Sequence, residues 1–143
     1  MSSTREAQSL QEIGAGAMGA LRELVGALRD AVADGDQDSG HDRIDEAQQA
    51  IHDDPLSIEY RSGWTMQGDK MEAQEYCMLL ATGGPAVRIV GEVEHEEAKT
   101  ATLQVQDWGT PWTDVKLSAD DQDILMEYVG QFCLFHDDGL PRV

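Results

Sequence analysis

The chain has 143 residues, enough for one domain with a core of its own and no need for disulfides or a structural metal. Lys and Arg number 10 against 28 Asp and Glu, a formal net charge of −18. That charge keeps a chain soluble, steers it toward positive surfaces and works against direct binding to phosphate backbones, so no direct nucleic-acid contact is expected. Apolar residues stand at ordinary globular levels, which argues against global disorder.

The first residues lack the basic-then-apolar order of a signal peptide, and no apolar run approaches the roughly 20 residues of a membrane span, so a cytoplasmic protein with no membrane partner is expected. Cys77 and Cys133 both sit in apolar stretches, which favours buried free thiols, although a bridge between them stays open.

Residues 4–33 read as a helix. Met18, Leu21, Val25, Leu28 and Val32 alternate three and four apart, with Leu24 widening the stripe. Gly14, Gly16 and Gly19 weaken its first half or let another element approach closely. Turn chemistry follows over 34–40, then a short helix over 42–52 with Ile44, Ala47 and Ile51 on one side, stopped by Pro55.

The period then changes to two. Leu56, Ile58 and Tyr60 mark one strand, residues 75–81 a second, Val87, Ile89 and Val93 a third, and Ala101, Leu103 and Val105 a fourth. Short turns between them predict an antiparallel meander. Trp108-Gly109-Thr110-Pro111-Trp112 forms an aromatic corner. Ser118, followed by Asp120 and Asp121, caps a last amphipathic helix that ends near His136.

The expectation is a single α+β domain of order α-α-β-β-β-β-α: an acidic helical region over 4–52, a four-stranded antiparallel sheet over 56–117 and a helix over 118–136. Leu79, Ile89, Leu103 and Phe132 are the expected deep core.

Few patterns carry chemistry. Asp34, Asp36, Asp38, Asp42 and Asp45 fall at positions 1, 3, 5, 9 and 12 of a calcium loop, but Ser39 stands where the sharp turn needs Gly, and His41 where an apolar residue belongs. A solvated acidic linker is the simpler reading, and no metal or cofactor is expected. The four histidines show no zinc spacing, and neither cysteine has an electropositive setting. Thr82-Gly83-Gly84-Pro85 lacks the Lys-Ser/Thr ending of a phosphate loop and reads as a hairpin turn. Carboxylate pairs are too common in so acidic a chain to mark an acid-base site, and no catalytic residue is assigned.

The acid distribution is the strongest departure from a bland domain. From Asp30 to Asp54 there are nine carboxylates opposed only by Arg43. Further groups are Glu92, Glu94, Glu96 and Glu97, and Asp114, Asp120, Asp121, Asp123 and Glu127. A solvated face is the usual meaning of such runs, but the excess passes the magnitude of about 2–8 that solubility asks of a small domain. Carboxylates along a surface can imitate the phosphates of a duplex; adaptation to high salt is the competing explanation.

The stretches LLATGGPAVRIVGE (79–92) and QDWGTPW (106–112) resemble a group of small acidic bacteriophage and prophage proteins. The resemblance covers about the middle third of the chain and brings no catalytic residues with it. It implies a limited set of roles, among them inhibition of host defence. The leading expectation is a non-enzymatic inhibitor of a host nucleic-acid-targeting system, a CRISPR effector or restriction enzyme, whose basic groove receives the acids. Asp34, Asp36, Asp38, Asp42, Asp45 and Glu46 are the expected contacts, with Trp108 or Trp112 as an aromatic anchor; the plainer reading of both tryptophans is that they cap the sheet core. A calcium-dependent module, a small hydrolase or transferase, and a virion protein are the alternatives.

Overall fold

The computed structural model describes residues 2–34, 38–83 and 85–132, with side chains from Gln8 onward in the first helix and from Asp42 onward in the second. The elements are α1 (Ser2–Ala33), α2 (Asp38–His52), β1 (Ser57–Ser62), β2 (Ala73–Ala81), β3 (Ala86–Glu94), β4 (Glu97–Ala98), β5 (Thr102–Gln106), β6 (Thr113–Asp114) and α3 (Ala119–Val129). The α+β class and the order of helices, strands and helix are as read from the sequence. The sheet has six strands rather than four, all antiparallel, in the order β1-β2-β3-β5-β6, with β4 paired to β3 beside β5.

The expected fourth strand is β4 and β5 together, interrupted by one extra residue. Val93 pairs with Ala98 but Val90 pairs with Thr102, a shift of one. Around the interruption Glu92 N donates to Thr100 Oγ1 at 2.9 Å, Lys99 N donates to Glu92 O at 2.8 Å, and the Tyr76 hydroxyl donates to Thr100 O at 2.7 Å. Gly91 makes the approach possible, since a Cβ there would lie 2.0 Å from Thr100 O. The two-residue loop between β3 and β4 is His95-Glu96, both with positive φ (53° and 65°), the twist a tight hairpin demands and side chains resist. β6 is a two-residue strand beyond the aromatic corner, joined to β5 through Gln104↔Asp114 and Val105↔Thr113.

One sheet face carries the helices. α1 packs against both α2 and α3 and crosses β3 and β5. Met18, Leu21, Val25 and Leu28 of its stripe are buried against Met78, Ile89, Leu103, Val105, Ile51, Leu125, Tyr128 and Val129. Gly14 meets the Val115 side chain, where a Cβ would sit 2.5 Å from a methyl group. That is the close approach foreseen for the glycine stretch; Gly16 and Gly19 face open space.

Ile89, Leu103 and Phe132 are buried as expected. Leu79 is not: it is half-buried, and Met78 takes the inward position. The run 76–80 is apolar at both parities, so alternation could not choose between them; pairing of Met78 with Ile89 decides it. Val32 is 59% exposed and Ala31 is buried instead. The buried series Met18, Leu21, Val25 and Leu28 continues in steps of three and four to Ala31, and Val32, one residue on, is turned about 100° away from it.

α3 starts at the Ser118 cap, whose hydroxyl accepts from Asp121 N at 3.1 Å. It stops at Val129 with Gly130 as C-cap, short of the expected end near His136; residues 133–143, including Cys133, lie outside the described residues. The Tyr128 hydroxyl donates to Asp54 Oδ2 at 2.7 Å and ties α3 to the end of α2. Burial first, then that bond and the Asp54 charge, push the Tyr128 pKa well above its ordinary value.

Two substitutions test this packing. Leu103→Ala should cost about 2–5 kcal/mol in denaturant unfolding, as large-to-small core changes do. Gly91→Ala, which leaves no cavity, should still cost at least the about 1–3 kcal/mol typical of overpacking. Wild-type stability of Gly91→Ala would show that the Thr100 carbonyl does not press on that position.

Candidate functional site

The helix layer and the second face of the sheet are separate candidate surfaces. On the helix layer, Asp34 closes α1, and Asp42, Asp45 and Glu46 stand on α2; all four are exposed. Asp42 lies three residues before Asp45 and four before Glu46, so it neighbours both one turn on, with Cβ atoms about 5–6 Å away, while Asp45 and Glu46 are consecutive and diverge on either side of that line. Asp36 and the Asp38 side chain lie outside the described residues.

The arginines of this layer whose side chains are described are already engaged. Arg43 Nη1 holds Asp34 Oδ2 at 2.5 Å. Arg22 is ion-paired with Asp121, and Arg29 Nε donates to Glu127 Oε2 at 2.9 Å, so two of the α3 acids clamp α3 onto α1. The Glu127 hydrogen bond and charge raise the Arg29 pKa. Among the described residues, no cation forms a salt bridge with Asp42, Asp45 or Glu46. The acid groups therefore separate into those that hold the fold and those that face solvent unopposed.

The calcium-loop spacing is not a loop in space. α2 begins at Asp38, so positions 5 to 12 of the proposed ligand series run along a helix, and Asp34 is taken by Arg43. Among the described residues, no group of three or more His, Cys, Asp or Glu could hold a metal ion.

Among the described residues, no helix covers the other sheet face. Its cross-strand rows follow from the register: Glu59, Cys77, Val90 and Thr102 in one, Ser57, Leu79, Arg88, Gln104 and Asp114 in the next. These enclose part of an open cleft of about 670 Å³. Arg88 is its central cation. The guanidinium lies 4.1 Å from the centre of the Trp112 ring, and Nε donates to Gln104 Oε1 at 2.8 Å. Gln104 Nε2 in turn donates to Asp114 Oδ1 at 2.8 Å. Trp112 is thus half-buried as the lid of a cation–π pair, on the layer opposite the acids of α2.

Cys77 is half-buried beside Arg88. Burial pushes its thiol pKa up and Glu59 adds to this, while Arg88 pulls it down by charge and hydrogen bonding. The thiol is consequently a poor nucleophile at neutral pH.

At one end of the sheet the two recognisable sequence stretches meet, because Ala86 pairs with Gln106. A shallow cleft of about 260 Å³ separates Gly83 from Trp108. Trp108 is 83% exposed on a turn closed by Thr110 N donating to Asp107 O and Asp107 N donating to Thr110 Oγ1, both at 3.0 Å, with Gly109 at φ 76°. The structure does not bring the eight expected contact residues onto one surface: Trp112 belongs to the bare sheet face, Trp108 to its end, and the described acids to the helix layer.

The sequence marks Gln67-Gly68-Asp69 as a loop and Trp64 as one of three tryptophans, but no role was read from it for the segment 63–72 between β1 and β2. Trp64 there is 107% exposed, and Met66 and Met71 are exposed with it. The available signal was three large apolar side chains between strands with no periodicity to bury them. Arg88 was equally legible as the one cation of its strand.

No family model, no curated protein and no solved structure matches the chain.

In a Cys133→Ser background, alkylation of Cys77 by iodoacetamide should rise with pH along a curve displaced above that of an unfolded cysteine. Arg88→Ala should displace it further upward, because the guanidinium favours the thiolate. Rapid labelling at neutral pH would show the opposite environment.

Proposed function

We propose that the protein is a non-enzymatic, phage-encoded inhibitor that presents the acidic face of α2 to a basic nucleic-acid-binding groove of a host defence protein, a CRISPR effector or restriction enzyme. One observation carries the reading. Asp42, Asp45 and Glu46 are exposed and without a salt-bridge partner among the described residues, while Arg22, Arg29 and Arg43 of the same layer are committed to other acids. A rigid helix displaying a cluster of unopposed carboxylates, Asp42 with Asp45 and Glu46 one turn on, offers a groove built for phosphates a concentrated patch of negative charge. The fold supports this role by fixing the patch: Ala47 and Ile51 bury the opposite side of α2 against α1.

Phage origin rests on the likeness of the stretches at 79–92 and 106–112 to small phage proteins. Those stretches form the sheet and its turns, and the acidic helices lie outside them, so the sheet supplies the scaffold and the helices the inhibitory surface.

Affinity capture from bacterial lysate should recover a basic nuclease or nuclease complex, and the captured protein should lose a labelled DNA or RNA ligand as the chain is added. Binding should weaken steeply with salt, since the Debye length falls from about 8 Å at physiological ionic strength to about 3 Å at 1 M. Reversing Asp42, Asp45 and Glu46 to Lys should slow association and abolish competition while leaving the melting temperature unchanged or raised. Undiminished competition by the triple variant would sink the acidic-surface mechanism.

A further inference from the structure

The two edges of the sheet are built differently. On one side the sheet closes with β6, a two-residue strand that leaves almost no unpaired ladder. On the other it ends with β1, six residues long, and among the described residues no strand pairs with its outer side. Natural edge strands are commonly protected by shortness, an internal proline, charged side chains of which lysine is the commonest, a bulge or a covering element. β1 has the sequence Ser57-Ile58-Glu59-Tyr60-Arg61-Ser62: it has no proline or lysine, its register shift lies at its end, and its two charges, Glu59 and Arg61, are opposite in sign and so repel no strand that presents the same pair in reverse. A long open edge on one side and a blunted edge on the other is the arrangement of a sheet that continues in one direction only.

The order of side chains along β1 says what continues it. Read antiparallel against itself about Tyr60, the strand places Glu59 opposite Arg61 and Arg61 opposite Glu59. Both project on the bare sheet face and both are exposed, with Arg61 79% accessible even while paired to Glu75 across β2. Opposite charges directly across an antiparallel ladder stabilise it and like charges destabilise it, so this register satisfies both ion pairs where others do not. Ile58 falls opposite Ser62 on the helix-bearing side. The same two-fold brings Leu56, 58% exposed, toward Trp64 of the other copy at each margin, which covers two large apolar side chains that the single chain leaves in water. The β1–β2 register shift lies between Arg61 and Ser62, outside the central Glu59-Tyr60-Arg61 core of the pairing.

We propose that β1 is a self-pairing edge: two copies of this chain join β1 to β1, antiparallel about a two-fold axis at Tyr60, into one sheet continuous across both. The occupant is a second copy because the strand is complementary in charge to itself. A generic basic partner would pair with Glu59 but would be repelled by Arg61. The pairing is opposed at long range by two net charges of −18. Added salt screens that repulsion, and the dimer therefore tightens as ionic strength rises, the reverse of what a complex with a basic groove does. The inference uses no residue of the acidic face and stands or falls separately from the inhibitory reading.

Sedimentation velocity over a concentration series, at low and at high salt, tests it. The wild-type chain should pass from monomer to dimer, with tighter association at high salt. Glu59→Arg and Arg61→Glu should each weaken dimerisation by about tenfold or more, because each places like charges opposite one another at two symmetric positions. The double variant Glu59→Arg/Arg61→Glu, which swaps the charges, should recover association to within about threefold of wild type. Melting temperatures establish that each variant is folded. A wild-type chain that stays monomeric at every concentration and salt overturns the proposal. So does a dimer indifferent to the single reversals, or one that the swapped pair fails to restore.

Discussion

Burial of one side of α1 is the contact on which the rest of the structure depends. Met18, Leu21, Val25 and Leu28 share one core with residues of the sheet and of both flanking helices. Gly14 sets how close the helix comes, by admitting Val115 where any side chain would hold it off. Once α1 is seated, the helix-bearing face of β3 and β5 is fixed, and with it the identity of the bare face. α2 and α3 then complete the cover, tied to each other by the Tyr128–Asp54 bond and by His52 Nε2, 2.7 Å from Gln131 O.

The charge of the chain is organised around the same contact. A net of −18 would push three helices apart, and the arginines of α1 are placed against it: Arg22 and Arg29, two turns apart, each hold an acid of α3. Exposed pairs of this kind are individually worth little, but here they also remove local repulsion at a helix interface. Among the described residues, no charged side chain is buried, so every carboxylate whose side chain is described keeps its contact with water, and the buried hydroxyls of Tyr76 and Tyr128 are each hydrogen-bonded. The acidity is thus carried entirely on the surface and leaves the core free to be apolar.

A two-layer arrangement leaves half of the sheet open, and that half has its own chemistry. Arg88 under the Trp112 ring, linked through Gln104 to Asp114, rigidifies a face that would otherwise be a loose mixture of Cys77, Leu79 and Val90 with polar neighbours. The face ends at β1, and an edge strand with its side chains already ordered by a neighbouring ladder is well prepared to accept another strand. The acidic helix layer and the open sheet lie on opposite sides of one core, so the contacts proposed for them are separable.

The sequence by itself determined the class, the order of elements and most of the core. Periods of 3.6 and 2 are imposed by backbone geometry, and so are visible wherever only one side of an element is buried. The α1 stripe as far as Leu28, the alternation through Ile89 and Leu103, and the Ser118 cap are of this kind. Acid clustering was also legible, because charge does not depend on the fold. Only the tertiary structure decided what depended on the neighbour. Whether Met78 or Leu79 points inward was settled by pairing with β3, whether Ala31 or Val32 continues the stripe by the packing around α1, and the split of one strand into β4 and β5 goes with the approach of Thr100 that Gly91 admits. Which acids are free and which are spent on Arg22, Arg29 and Arg43 was likewise invisible beforehand, since an ion pair joins residues as much as 99 positions apart. The placement of Trp112 and the acids of α2 on opposite layers has the same cause: a sequence records that residues are aromatic or charged, but only packing assigns them a side.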